Sequence, residues 1–258
     1  MSKIASLRWW QVAPLVCAAA GVVAMPFAAM RGPEAPEEAP MNFTVPSSGT
    51  AFDESWKFEP KADLGTSQLT YLDLRNGTHK GSTNERFSRP SLSLSKLYIA
   101  QYVFEHGSED EQDLAQQMIQ TSDDEIADEL FDAYPNSIDK IAKQYKLKST
   151  SQQGQRWGYS VTSTYDVVQF LLAILRENPH SPVVQAMTQT TPKAADGTRQ
   201  DFGTAQLPGA KANKFGWSSD GSLHSSATIG DDYIVAAAVY GSEDDLSEYV
   251  QRQLGERL

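Results

Sequence analysis

Residues 88–107, "SRPSLSLSKLYIAQYVFEHG", place Ser93 three positions before Lys96 at the head of an apolar run. On a helix that spacing sets a hydroxyl and an amine on one face. With 26 serines and 12 lysines in 258 residues, chance alone supplies about one Ser-x-x-Lys, and a second, Ser137 to Lys140, is present. The pair therefore takes its meaning from its neighbourhood. Leu97, Ile99, Ala100, Val103 and Phe104 predict a helix running from Leu94 and closing at His106-Gly107, with Gly107 in the left-handed conformation that ends helices.

Upstream, "QLTYLDL", "RNG" and "THKGST" predict a β-hairpin turning at Asn76-Gly77. Downstream, Ser108 is placed to cap an acidic first turn, and a third helix runs from Asp123 to Tyr134, stopping at Pro135. A fourth starts with Ser137 as its N-cap and carries Ile138, Ile141, Ala142 and Tyr145 on one face. Capping is a sufficient role for the second Ser-x-x-Lys. "TSTYDVVQFLLAILRENP" predicts a buried helix with a Ser163/Asp166 capping box, ended by Pro179. Beyond Pro192, "ANKFGWSS", "SLHSSATIG" and "DYIVAAAVYG" read as three antiparallel strands joined at Asp220-Gly221 and Gly230-Asp231. Ser242-x-x-Asp245 then opens a last helix with Leu246, Tyr249, Val250 and Leu254 on one side. A sheet formed from both chain ends, with helices inserted between, is an α+β design. No period of 20–50 residues recurs, so a repeat architecture is excluded.

The start of the chain has a different character. Lys3 and Arg8 precede 22 uncharged residues, Trp9 to Met30, and Arg31 follows. That length crosses a bilayer as a helix, and the charge bias places the start inside and the remainder outside. The expected organisation is an anchor at 1–31, a Pro- and Glu-rich spacer at 32–50 and one domain at 51–258. The competing reading is a signal peptide cut after Ala24, which gives a secreted domain. Cys17 is the only cysteine, so an exported domain must hold together through its core. The net charge is −11, and setting aside Lys3, Arg8 and Arg31 leaves −14. Such a surface repels phosphate backbones, which argues against a nucleic-acid partner.

The blocks "TNERFSRPSLSLSK", "MIQTSDDEIADEL" and "ANKFGWSSDGS…DDYIVAAAVYG" resemble, in order and setting, the Ser-x-x-Lys, Ser-Asp-Asn and Lys-Thr-Gly blocks of the class A β-lactamase and penicillin-binding superfamily. The resemblance runs from about Leu69 to the C-terminus, and more narrowly extends to exported actinobacterial serine-hydrolase-like proteins. It implies a β-lactamase/transpeptidase-like α+β fold with an inserted helical subdomain. It also implies Ser93 as nucleophile, Lys96 as its base, Ser122 as proton relay and Lys214 as a second cation that attracts a substrate carboxylate. Backbone N–H groups of Ser93 and Trp217 supply an oxyanion hole in that layout. Asp124, Phe215 and Gly216 fall at substrate-binding positions.

Three departures accompany the likeness. Asp124 stands where the family has Asn, and its charge favours the ammonium form of Lys96. Phe215 replaces a Thr hydroxyl, and an aromatic there is expected to narrow the cleft or change its guest. From Lys140 to Tyr165, where class A enzymes keep a water-activating glutamate, no carboxylate occurs; Asp166 reads as a capping residue. Two readings follow: an envelope-anchored serine hydrolase acylated at Ser93 by a cell-wall peptide or a small amide or ester, without efficient β-lactamase turnover, or a degenerate binding or scaffolding module. His79, His106, His180 and His224 lack ligand spacing, so no metal or other cofactor is expected. Trp157 and Trp217 are candidates to line a cleft.

Overall fold

The computed structural model describes Phe43 and residues 67–255. The apolar stretch expected to anchor the chain, Cys17 and all of the spacer except Phe43 lie outside the described residues. No helix among the described residues is long and apolar enough to cross a membrane.

The chain order is β1 (Gln68–Asp73), β2 (His79–Gly81), β3 (Arg89–Pro90), a 3-10 turn at Leu92–Leu94, α1 (Ser95–His106), α2 (Glu109–Thr121), α3 (Asp124–Ala133) and α4 (Ser137–Gln144). There follow β4 (Val161–Thr162), α5 (Thr164–Glu177), α6 (Pro182–Thr188), β5 (Ala210–Trp217), β6 (Leu223–Gly230), β7 (Tyr233–Tyr240) and α7 (Glu243–Leu254). Five strands form an antiparallel sheet in the order β2-β1-β7-β6-β5, so the two ends of the described chain meet at β1 and β7. Gln68 faces Ala238 and Asp73 faces Tyr233 across that seam.

Both faces of the sheet are covered, which is why β7 reads Tyr-Ile-Val-Ala-Ala-Ala-Val-Tyr with no polar alternation. Ile234 and Ala236 join Leu72, Ala227 and Ile229 in the core beneath α1, α5 and the other inserted helices. Tyr233, Val235, Ala237 and Val239 pack with Leu69, Tyr71 and Phe215 against Leu246, Tyr249, Val250 and Leu254 of α7. Phe43 is buried in the helix-side core. α2 and α7 each begin with a complete capping box, Ser108 with Glu111 and Ser242 with Asp245, each cap contributing about 1 kcal/mol.

Local expectations needed correction at several points. Gly107 is extended (φ −83, ψ 163), because the chain passes straight into the Ser108 cap without a reversing turn. A Cβ there would lie 2.8 Å from Val103 Cγ1, so close approach is what requires glycine. Ser137 is the first helical residue of α4 rather than its cap; Asn136 holds that position without a side-chain bond, and Ser137 Oγ is buried with no hydrogen-bond partner among the described residues. The box at Ser163 is half formed. Its Oγ accepts from Asp166 N, but the Asp166 carboxylate turns away to accept from Ser149 N (2.7 Å) and Thr150 Oγ1 (2.8 Å). α6 was not foreseen: at seven residues it is too short for a periodic signal, and Pro182 at its first turn was its one mark.

Candidate active site

The three motif blocks converge on a cleft of about 350 Å³ lined by Ser93, Ser122, Asp123, Asp124, Glu125, Ala195, Asp196 and Trp217. Ser93 lies in the 3-10 turn that leads into α1. Leu92, just before it, has φ +51, one of three non-glycine residues in the left-handed region among the described residues. A second is Ser122, at φ +54, the joint between α2 and α3. Such conformations cost about 1–3 kcal/mol each and persist where surrounding structure imposes them. Here both sit at the serines that share the cleft.

Lys96 projects from α1 and is 0% exposed. Its Nζ donates to Ser93 Oγ (3.2 Å), Ser122 O (2.6 Å) and Asp124 Oδ1 (2.5 Å), which uses all three ammonium hydrogens. The Trp157 ring lies 4.8 Å from the same nitrogen, and its own Nε1 donates to Asp128 Oδ1. Trp157 therefore covers Lys96 rather than lining the cleft. Burial pushes the Lys96 pKa down, and Asp124 pulls it back. Burial prevails because the Asp124 side chain is 73% exposed and well screened, while the amine has lost its water. The influence expected of Asp124 has the right sign but does not decide the outcome.

Lys214, on β5, is also fully buried and donates to Ser122 Oγ at 2.6 Å. Burial, with the neighbouring charge of Lys96, holds its pKa well below the ordinary lysine range. Its amine ends on Ser122 and is not among the groups that line the cleft. Phe215 is likewise absent from the cleft. Its ring packs edge-on against Phe202, with centroids 4.8 Å apart, in the core under α7. Strand alternation explains this: adjacent residues on β5 face opposite sides, so Lys214 and Phe215 cannot both point at Ser93.

Gly216 brings β5 against the turn that carries Ser93. A Cβ on it would lie 2.9 Å from Leu92 Cβ and 3.0 Å from Ser93 N. Ser218 N donates to Leu223 O, so antiparallel alternation bonds Gly216 to β6 and turns Trp217 N–H off the sheet edge. The backbone amides of Ser93 and Trp217 thus belong to two segments in direct contact. The Trp217 indole walls the cleft, with Nε1 donating to Asp196 Oδ2 at 3.0 Å.

Asp196, Ala195 and Glu125 are lining residues at no motif position, and Asp123 lines the cleft from the middle of the Ser-Asp-Asn block. Asp123 caps α3, accepting from Glu125 N and Ile126 N. Asp196 sits in a turn that hydrogen bonds fix to the end of α2: Ala195 N to Thr121 O, and Thr191 N and Gln200 Nε2 to Gln120 O. Burial works to raise the Asp196 pKa, but hydrogen bonds from Thr198 and Trp217, aided by Lys96, hold it below the usual carboxylate value. The only sequence sign of this residue was an Asp-Gly-Thr turn. Asp166 is 2% exposed, with its pKa raised by burial, and lies outside the cleft lining. Among the described residues no three His, Cys, Asp or Glu side chains are placed to hold a metal ion.

A β-lactamase from a halotolerant bacterium superposes with a TM-score of 0.59 at 12% identity, covering 74% of this chain and 93% of the other. The fold is that of the serine β-lactamases and penicillin-binding proteins. A penicillin-binding protein homologue from Mycobacterium tuberculosis gives a TM-score of 0.53 at 15% identity, covering 77% and 95%. The D-alanyl-D-alanine carboxypeptidase of the same organism gives 0.51 at 17%, covering 70% and 85%. No protein-family model and no curated protein matches the sequence.

Proposed function

We propose that this protein is a serine acyl hydrolase of the cell envelope, acylated at Ser93 by a cell-wall peptide or another amide or ester. The observation that carries the reading is the bonded cluster in which Lys96 reaches Ser93 Oγ while Lys214 reaches Ser122 Oγ. Neutral Lys96 takes the Ser93 proton as Oγ bonds to the substrate carbonyl carbon. The amides of Ser93 and Trp217 hold the resulting oxyanion. Collapse breaks the bond to the leaving nitrogen or oxygen, which receives a proton from Lys96 relayed by Ser122, and leaves an ester on Ser93. Lys214 keeps the relay hydroxyl in place.

Hydrolysis of that ester needs an activated water. The segment from Lys140 to Tyr165 offers no carboxylate, and Asp166 is committed to Ser149 and Thr150. Slow release and poor β-lactamase turnover follow. The D-alanyl-D-alanine carboxypeptidase likeness and the apolar stretch at 9–30 support an envelope setting.

The test is labelling with a fluorescent fluorophosphonate and a fluorescent penicillin, with Ser93→Ala as control. A stable adduct on Ser93 with the fluorophosphonate, which carries no carboxylate, is the expected result. The Lys96–Asp124 bond favours a second reading, an idle catalytic apparatus on a binding module. Absence of labelling by both probes across pH 6–10 would establish that reading instead.

A further inference from the structure

The walls of the cleft carry one sign of charge. Of its eight lining residues four are carboxylates, Asp123, Asp124, Glu125 and Asp196, and none is Lys, Arg or His. The two lysines behind them are fully buried and occupied. Lys96 is matched by Asp124, and Lys214 ends on Ser122. A substrate carboxylate entering this space meets like charge and finds no exposed cation.

Two of the acids are placed to receive a guest. Asp196 is fixed in the wall by Thr198 and Trp217 and is held in the ionised form. Asp124 accepts from Lys96 Nζ through Oδ1 and makes no bond through Oδ2 among the described residues, although most of its side chain is open to solvent. Asp123 is committed to capping α3. A third feature points the same way: the Trp217 indole forms part of the wall, and aromatic faces beside carboxylates attract ammonium and guanidinium groups.

We infer that the cleft takes substrates bearing a positive group, an ammonium or guanidinium held by Asp124 and Asp196 beside Trp217, and rejects substrates recognised through a carboxylate. This specificity rests on the acyl-enzyme reading of Ser93. A peptide with a free side-chain amine satisfies both. Such a guest also acts on the base. By neutralising Asp124 it weakens the hold on the Lys96 ammonium and favours the neutral amine that activates Ser93. Substrate binding and base activation are thereby coupled through one carboxylate.

The experiment uses the full-length protein and three p-nitrophenyl esters with a common blocked backbone and different side chains: lysine, its neutral isostere norleucine, and the anionic aminoadipate, each in both configurations. Acylation is followed by the p-nitrophenol burst and by the mass increment on the Ser93 peptide. The lysine ester is expected to acylate about tenfold faster than norleucine, and norleucine faster than aminoadipate. Asp196→Asn brings the lysine-to-norleucine ratio toward one, as does raised salt. A lysine ester no faster than aminoadipate, with Ser93 still modified, overturns the charge preference and leaves the acyl-enzyme reading standing. If no ester modifies Ser93, that reading falls. Calorimetric titration of Ser93→Ala with the three matching amides then decides the preference: tighter binding of the lysine amide supports it, and equal affinities overturn it.

Discussion

The chain carries the same four-residue motif twice, and the two copies have opposite fates. Ser93 and Lys96 are both buried and bonded to one another, and Ser93 lines a cleft; Ser137 and Lys140 share no bond among the described residues. Ser137 Oγ is buried without a hydrogen-bond partner among the described residues, while Lys140 reaches out to Tyr102 OH at 2.9 Å and lies over its ring. Both pairs sit at a helix start, so the spacing is not what differs. The first copy has Leu92 forced to positive φ, β5 pressed against it at Gly216, and α2 ending on Ser122. A motif becomes a site through what crosses it.

The comparison can be broken most severely at the serines. Ser93→Ala is expected to abolish fluorophosphonate labelling, whereas Ser137→Ala labels at the parental rate; gel fluorescence decides. At the amines, Lys96→Met should slow acylation by about 10²–10⁴, the range for loss of a positioned base. Lys140→Met should leave the stopped-flow rate unchanged.

Gly216→Ala tests the crossing strand itself. A methyl group pushing on Leu92 and Ser93 N displaces the nucleophile turn and should lower acylation by about 10², with the circular dichroism spectrum unchanged. Asp124→Asn sharpens the electrostatic part. Asp124 raises the Lys96 pKa, so its removal lowers that pKa further and enlarges the neutral fraction on the acid side. The acidic limb of the acylation–pH profile therefore moves to lower pH; an unmoved or raised limb contradicts Lys96 as the base. The smallest effect falls on the idle copy. Removing the unpartnered Ser137 hydroxyl should stabilise the protein by about 1 kcal/mol, visible as a rise of about 2–4 °C in Tm.

Much of the architecture was legible because it was written locally. Strand runs such as Tyr-Ile-Val-Ala-Ala-Ala-Val-Tyr, the Asn76-Gly77 and Asp220-Gly221 turns and the Ser108 and Ser242 caps all name their own structure. Of the site, Ser93, Lys96, Ser122, Asp124, Gly216 and Trp217 meet as the ordered blocks implied. Phe215 was misplaced because its motif position outweighed the two-residue period of a strand, which alone would have sent it to the α7 side. Asp196 was invisible for a different reason. Its place in the cleft depends on backbone bonds from Thr191 and Ala195 to the end of α2, some 70 residues earlier, and the sequence carries no local sign of such a partner. The acidic character of the cleft therefore emerged only from the fold.

The bond between Lys214 and Ser122 joins residues 92 positions apart, and β1 gains its inner neighbour only when β7 is made. Biosynthesis delivers these parts in sequence. Ser93, Lys96 and Ser122 are already made while β5 to β7 are still to come. Until the final fifth of the chain closes the sheet, Trp217 is not yet beside Ser93 and no second lysine steadies Ser122. On the proposed acyl-transfer reading, competence waits for β5 to β7, and a chain that ends before them carries Ser93, Lys96 and Ser122 without their later partners.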